Sequence, residues 1–116
     1  MAANEAFYAA FNQKDGGAME RAWSSAPEVG CIHPGWNLLL GRDAVMESWR
    51  GILANPGQPR IVIGGATVTL LGETALVRCR ELVGGAALVA TNLFLREDGA
   101  WKLVHHHSGP VSVPDR

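Results

Sequence analysis

The sequence predicts an α+β domain, and three observations carry that prediction. Apolar residues recur at helical spacing in three stretches ahead of Asn55. From Arg60 onward the pattern changes to β-branched, alternating runs. Short glycine-containing turns separate those runs, which makes successive strands antiparallel neighbours. Helices first and a strand meander after is the segregated arrangement of α+β folds. At 116 residues the chain fits one domain over residues 1–116, long enough to bury one core.

The first helix spans residues 4–14, with Phe7, Ala10 and Phe11 on one stripe, Tyr8 on its flank and Asn4 as its cap. Asp15-Gly16-Gly17 ends it and opens a second helix striped by Met19, Ala22 and Trp23, which Ser24 to Pro27 stops. Residues 29–33 read as a short strand closed by Pro34-Gly35, and residues 36–40 as a second. Gly41-Arg42-Asp43 starts a third helix, capped by Asp43, with Val45, Met46, Trp49, Ile52 and Leu53 at helical intervals. Four strands then follow, over residues 61–71, 74–83, 86–96 and 100–108, turning at Gly72-Glu73, Gly84-Gly85 and Asp98-Gly99. The tail, residues 111–116, is expected to fray.

Alternation along strands assigns faces. On the last strand Trp101, Leu103, His105 and His107 share one face and Lys102, Val104 and His106 the other. Leu88, Ala90, Asn92, Phe94 and Arg96 share a face of the strand before it, and Leu76, Arg78, Arg80 and Leu82 alternate with Ala75, Val77, Cys79 and Glu81. Both faces are mostly apolar, so one is expected to cover helices and pocket and the other to pack on a second copy as a homodimer.

Composition narrows the function classes. Apolar residues make up 47% and charged residues 18%, with a net charge of −1, so nothing marks a nucleic-acid partner. No apolar run is long enough to cross a bilayer, and the N-terminus lacks the basic start of a signal peptide. Cys31 and Cys79 are therefore expected to be reduced core thiols in a cytoplasmic protein. There is no phosphate loop, no nucleophile elbow and no paired-cysteine spacing. The run His105-His106-His107 does not present three ligands to one side, because neighbours on a strand point apart, so no metal and no cofactor is assigned. It serves either as hydrogen-bonding core or interface residues or as pocket lining.

Cys31-Ile32-His33-Pro34-Gly35, followed by Gly41-Arg42 opening a helix with Trp49, resembles the N-terminal half of nuclear transport factor 2-like domains. The stretch from Asp98 to Pro110, with Trp101 and His105-His106-His107-Ser108-Gly109, resembles the last strand of the SnoaL-like branch and of the calcium/calmodulin-dependent kinase II association domain. The resemblance covers residues 3–110 and implies N-terminal helices packed on a strongly curved antiparallel sheet, a cystatin-like cone enclosing one pocket. Steroid isomerases of this fold carry a base just before a proline in the first strand, a position held here by His33. Their acid donor matches Asn92, and their tyrosine matches Phe7, with Tyr8 one step away. The kinase association domain lines its pocket with an arginine at Arg80, and His105 and His107 fall on pocket-lining positions.

If these groups share a cavity walled by Trp36, Trp49, Trp101 and Phe94, then His33 is a competent base, with Asn92 and His107 completing the catalytic set. Arg80 would anchor a carboxylate, and His105 would line the site. The implied ligand is a small apolar or carboxylate-bearing molecule, and the implied chemistry is acid/base isomerisation, cyclisation or dehydration. The other reading is a non-catalytic dimerisation module with a vestigial pocket.

Overall fold

The structure is a computed structural model in which residues 1–112 are described. From residue 113 on, the expected fraying lies outside the described residues. The elements run α1 (Ala2–Asn12), α2 (Gly16–Ala22), β1 (Gly30–Ile32), β2 (Leu39–Leu40), α3 (Arg42–Leu53), β3 (Ile61–Leu71), β4 (Thr74–Val83), β5 (Ala86–Glu97) and β6 (Ala100–Pro110). The strands form a six-stranded sheet in the order β2-β1-β6-β5-β4-β3, open at both ends. The α+β class is as expected. The sheet is mixed rather than wholly antiparallel, because β1 pairs parallel with β6.

The helices close one face of this sheet. Phe7, Tyr8, Ala10 and Phe11 of α1 are buried, as are Met19 of α2 and Val45, Met46, Trp49 and Leu53 of α3. They meet the inward row of β4 (Ala75, Val77, Cys79, Glu81) and of β5 (Ala90, Asn92, Phe94), all buried. Phe7, Phe94, Leu103 and Val45 are almost wholly excluded from solvent, and each such side chain contributes about 2 kcal/mol.

Two helix starts differ from the sequence expectation. α1 begins at Ala2, and Asn4 does not cap it, because its side chain turns inward and accepts from Asn92 Nδ2 at 2.8 Å. α3 starts from Gly41, whose φ of 91° suits glycine, and Asp43 sits in the first turn, where it still favours the helix dipole. Asp15 caps α2 by accepting from the Ala18 amide at 3.0 Å. Arg42 then ties α3 to the end of α2, its guanidinium donating to the carbonyls of Glu20, Trp23 and Ser24.

A bulge decides what faces inward. On β6 Leu103 pairs with Phe94 and His105 with Leu93, which leaves Val104 as an extra residue. The parity of β6 reverses at that point. His106 and Ser108, opposite Asn92 and Ala90, therefore point to the helices, and His105 and His107, opposite Leu93 and Thr91, point away. A second shift, between Gly64 and Thr67, bends β3 where it passes Arg80 and Arg78.

Candidate functional site

Between α1, α3 and the near ends of β3, β4 and β5 lies a cavity of about 320 Å³. Phe7, Tyr8 and Phe11 wall it from α1, Trp49 and Ile52 from α3, and Ile61, Val83 and Leu88 from the strand ends. The turn after β1 adds His33, Pro34 and Trp36, with Trp36 about half exposed at 49%. The remaining lining is Gln58, Glu81 and His106.

Glu81 and His106 belong to a buried polar network that begins at α1. Tyr8 donates to Glu81 Oε2 at 2.6 Å and Ser108 donates to Glu81 Oε1 at 2.5 Å. Asn92 Nδ2 donates to Asn4 Oδ1 at 2.8 Å and to the Tyr8 hydroxyl at 3.1 Å. Asn92 Oδ1 is then the acceptor for His106 Nδ1–H at 2.5 Å, which fixes the tautomer and leaves Nε2 as a lone pair. That lone pair lies 3.9 Å from Glu81 Oε2. Burial holds His106 down to about 3, outweighing the nearby carboxylate, and His33, His105 and His107 push the same way. The Tyr8 hydroxyl is raised well above the usual phenol range, first by burial and then by the Glu81 charge.

His33 is set by different neighbours. Ser48 donates its hydroxyl to the Val45 carbonyl at 2.7 Å, so it accepts from His33 Nε2–H at 2.9 Å. Nδ1 is left as an acceptor, with the Cys31 thiol 3.9 Å away. The ring packs edge-on between Trp36 and Trp49, each centroid 4.7 Å from its own. Burial lowers its pKa to about 4, so at neutral pH it is an uncharged base. Cys31 beneath it stays a thiol, pushed up to about 12 by burial and then by Glu81. Both cysteines are free and buried.

The structure brings His33, Trp36 and Trp49 to the cavity and leaves the other expected residues elsewhere. Asn92 lies behind the wall, with both amide hydrogens and its oxygen already bonded. It therefore holds no spare donor for an oxyanion, contrary to the role inferred from the resemblance. Phe94 is solid core, and Trp101 stands outside the cavity, with the Arg96 guanidinium 5.0 Å over its ring. His105 and His107 are on the outer face, put there by the Val104 bulge. His105 leans over β1, where a Cβ at Gly30 would lie 2.9 Å from its Nδ1. Arg80 is exposed on that outer face too, because Glu81, not Arg80, has the inward parity of β4.

Tyr8, Gln58, Glu81 and His106 are polar lining groups that sequence reasoning did not assign to the site, and Ser108 supports Glu81 from behind. Parity puts Glu81 on one face with Ala75, Val77 and Cys79, and the fold shows that face to be the inner one. For His106 and Ser108 parity gave no such guide, since one inserted residue exchanges the faces of everything after it.

A curved sheet with helices over one face and a polar-floored, aromatic-walled pocket defines the class of small α+β pocket proteins. Within that class, the SnoaL-like domain model matches residues 1–114, and the chain belongs to this family. It is 33% identical to a candidate dehydratase of the NTF2-like family from Streptomyces avermitilis, with a TM-score of 0.89 over 97% of this chain and 93% of that one. It is 31% identical to a candidate calcium/calmodulin-dependent protein kinase type II association domain from Thiobacillus denitrificans, with a TM-score of 0.83 over 96% and 94% of the two chains. An uncharacterised Caulobacter vibrioides protein with a cystatin-like fold, at 15% identity and a TM-score of 0.79 over 96% of this chain and 86% of that one, shares the fold. The F-box protein SKIP8 of Arabidopsis thaliana is 27% identical over 97% of this chain, which spans about half the length of that curated relative. No helix among the described residues is long and apolar enough to cross a membrane.

Proposed function

We propose that the cavity binds a small, largely apolar molecule carrying a hydroxyl group, and that His33 acts on it as a general base. The observation that carries this reading is a neutral imidazole whose tautomer Ser48 fixes, set in the wall of an aromatic cavity. The ring is uncharged at pH 7, so its Nδ1 lone pair is free to take a proton. The hydrogen-bond donors of Asn92 and Tyr8 are already engaged, which disfavours an isomerisation that stores charge on an enolate oxygen. In the elimination of water from a hydroxylated substrate His33 Nδ1 takes the proton from carbon and the imidazolium returns it to the departing hydroxyl, so that water leaves and the neutral ring is regenerated, and the dehydratase-like relative points the same way.

The test is a thermal-shift screen of small alcohols and β-hydroxy ketones on the wild type and on His33→Gln. A compound that raises the melting temperature of the wild type, and loses water only with His33 present, is the expected result. Hits that turn over equally on His33→Gln refute the base. A flat screen refutes the pocket reading itself.

A second reading has its own observation. Val62 (59% exposed), Leu82 (45%) and Val89 (51%) share the outer face of β3, β4 and β5, an apolar surface of the kind that marks association. We propose that two copies pair through this face, as the association-domain-like relatives suggest. The dimer leaves the cavity, on the opposite face, open to ligand, so the two readings coexist. Reduced, buried cysteines accord with a cytoplasmic setting.

A further inference from the structure

The pocket's charge is the reverse of what a carboxylate-binding site needs. Its one ionisable acid is Glu81, 3% exposed, and among the described residues no lysine or arginine lines the cavity. The two groups that donate to Glu81, the hydroxyls of Tyr8 and Ser108, carry no charge. The two lining imidazoles each present an acceptor, and Gln58 adds a neutral amide. His106 Nε2 is a lone pair 3.9 Å from Glu81 Oε2, with its Nδ1–H held by Asn92. His33 Nδ1 is a lone pair because Nε2–H goes to Ser48. The indole Nε1–H of Trp49 has no partner, but it is sealed from solvent. Around these acceptors stand Phe7, Phe11, Trp36 and Trp49, whose ring faces attract cations.

We propose that the cavity is selective for a small aromatic or alkyl ammonium ion, its N–H groups bridging Glu81 and His106 and its charge held among the four aromatic walls. This rests on the pocket-binding reading above and adds an ammonium group to the hydroxyl-bearing ligand proposed there. An ammonium supplies the multiple donors that these acceptors lack, and it satisfies the one buried charge that has no counter-ion on the cavity wall. A carboxylate ligand brings like charge against Glu81 and finds no cationic donor on the wall.

Three probes differing in charge test this on the full chain at pH 7: phenethylammonium, 2-phenylethanol and phenylacetate, titrated by calorimetry. Phenethylammonium is expected to bind at least about tenfold tighter than the alcohol, a difference of about 1.4 kcal/mol, and phenylacetate is expected not to bind. On Glu81→Gln the ammonium preference is expected to vanish while the affinity for 2-phenylethanol stays within about twofold. Should that variant not fold, Trp36→Ala, altered only at the half-exposed mouth, is expected to weaken the ammonium more than the alcohol. Equal or tighter binding of the alcohol or of phenylacetate overturns the ammonium proposal and leaves pocket binding standing. Binding of none of the three at millimolar concentration overturns both.

Discussion

The two faces of the β4–β5–β6 sheet are built from the same alternating sequence, yet they treat polar residues in opposite ways. On the inner face Glu81, Asn92, His106 and Ser108 are at most 3% exposed, and each is bonded to another or to α1. On the outer face Arg78, Arg80, Thr91 and His107 are exposed among apolar side chains. A buried polar group without a partner costs about 1–3 kcal/mol, so the inner set persists only as a closed network. Outside, water does that work, and the exposed feature is the apolar one. Polar residues that matter for a ligand are therefore found where they cost most to keep, and apolar residues that matter for a partner are found where they cost most to expose.

The sharpest contrast lies between inner and outer histidines. Folded His33 and His106 stay neutral down to about 4 and about 3. Unfolded, both take a proton near the ordinary histidine value of about 6.5. Below that value the unfolded chain binds more protons, so stability, complete above about pH 6.5, falls as the pH drops toward 4. The loss expected between pH 7 and pH 4 is on the order of 5 kcal/mol, at about 1.4 kcal/mol per unit for each group. Urea melts at stepped pH measure it. His33→Gln should roughly halve the slope, and His107→Gln, on the outer face, should leave it unchanged. An equal effect from His107 would erase the distinction between the faces.

Asn92→Leu tests the closed network directly. It strips the partners from Asn4 Oδ1 and His106 Nδ1–H and leaves Tyr8 with one bond fewer. A destabilisation of about 3 kcal/mol is expected from the orphaned groups, read as a lower urea midpoint at unchanged slope. A loss under 1 kcal/mol would mean that the inner groups find water and that the network is not closed.

The architecture was legible because its signals are local. Helical stripes, turn glycines and β-branched runs located α1, α2, α3 and the four long strands, and the resemblance supplied the curvature. The pocket was legible only where alternation ran unbroken. Trp36 and Trp49 flank His33 because short segments fix them. Arg80 was misplaced although its parity was correct, because alternation says which residues share a face and not which face is inside. His105 and His107 were misplaced for another reason. The Val104 bulge arises from pairing with β5, an interaction between strands that no single run of residues encodes. The start of α1 shifted because Asn4 turns inward to Asn92, and α3 starts from Gly41, which leaves Asp43 inside its first turn.

The smallest effect on stability should come from the outer face, and there the readout is assembly. Leu82 is 45% exposed and pairs across the strands with Val62 and Ala87. Leu82→Lys puts a charge in the middle of that apolar patch without touching the core. Its cost to the isolated fold is expected to stay within about 0.5 kcal/mol, as for surface substitutions generally. In a dimer the same charge would be desolvated against an apolar partner, which costs several times more. Light scattering at micromolar concentration should therefore show a dimer for the wild type and a monomer for Leu82→Lys, with ligand binding in the opposite-face cavity retained. A wild-type monomer would leave the exposed valines and leucines as mere surface. A dimer that survives the lysine would place the interface elsewhere, for example at the exposed Leu38 and Leu40 beside β2.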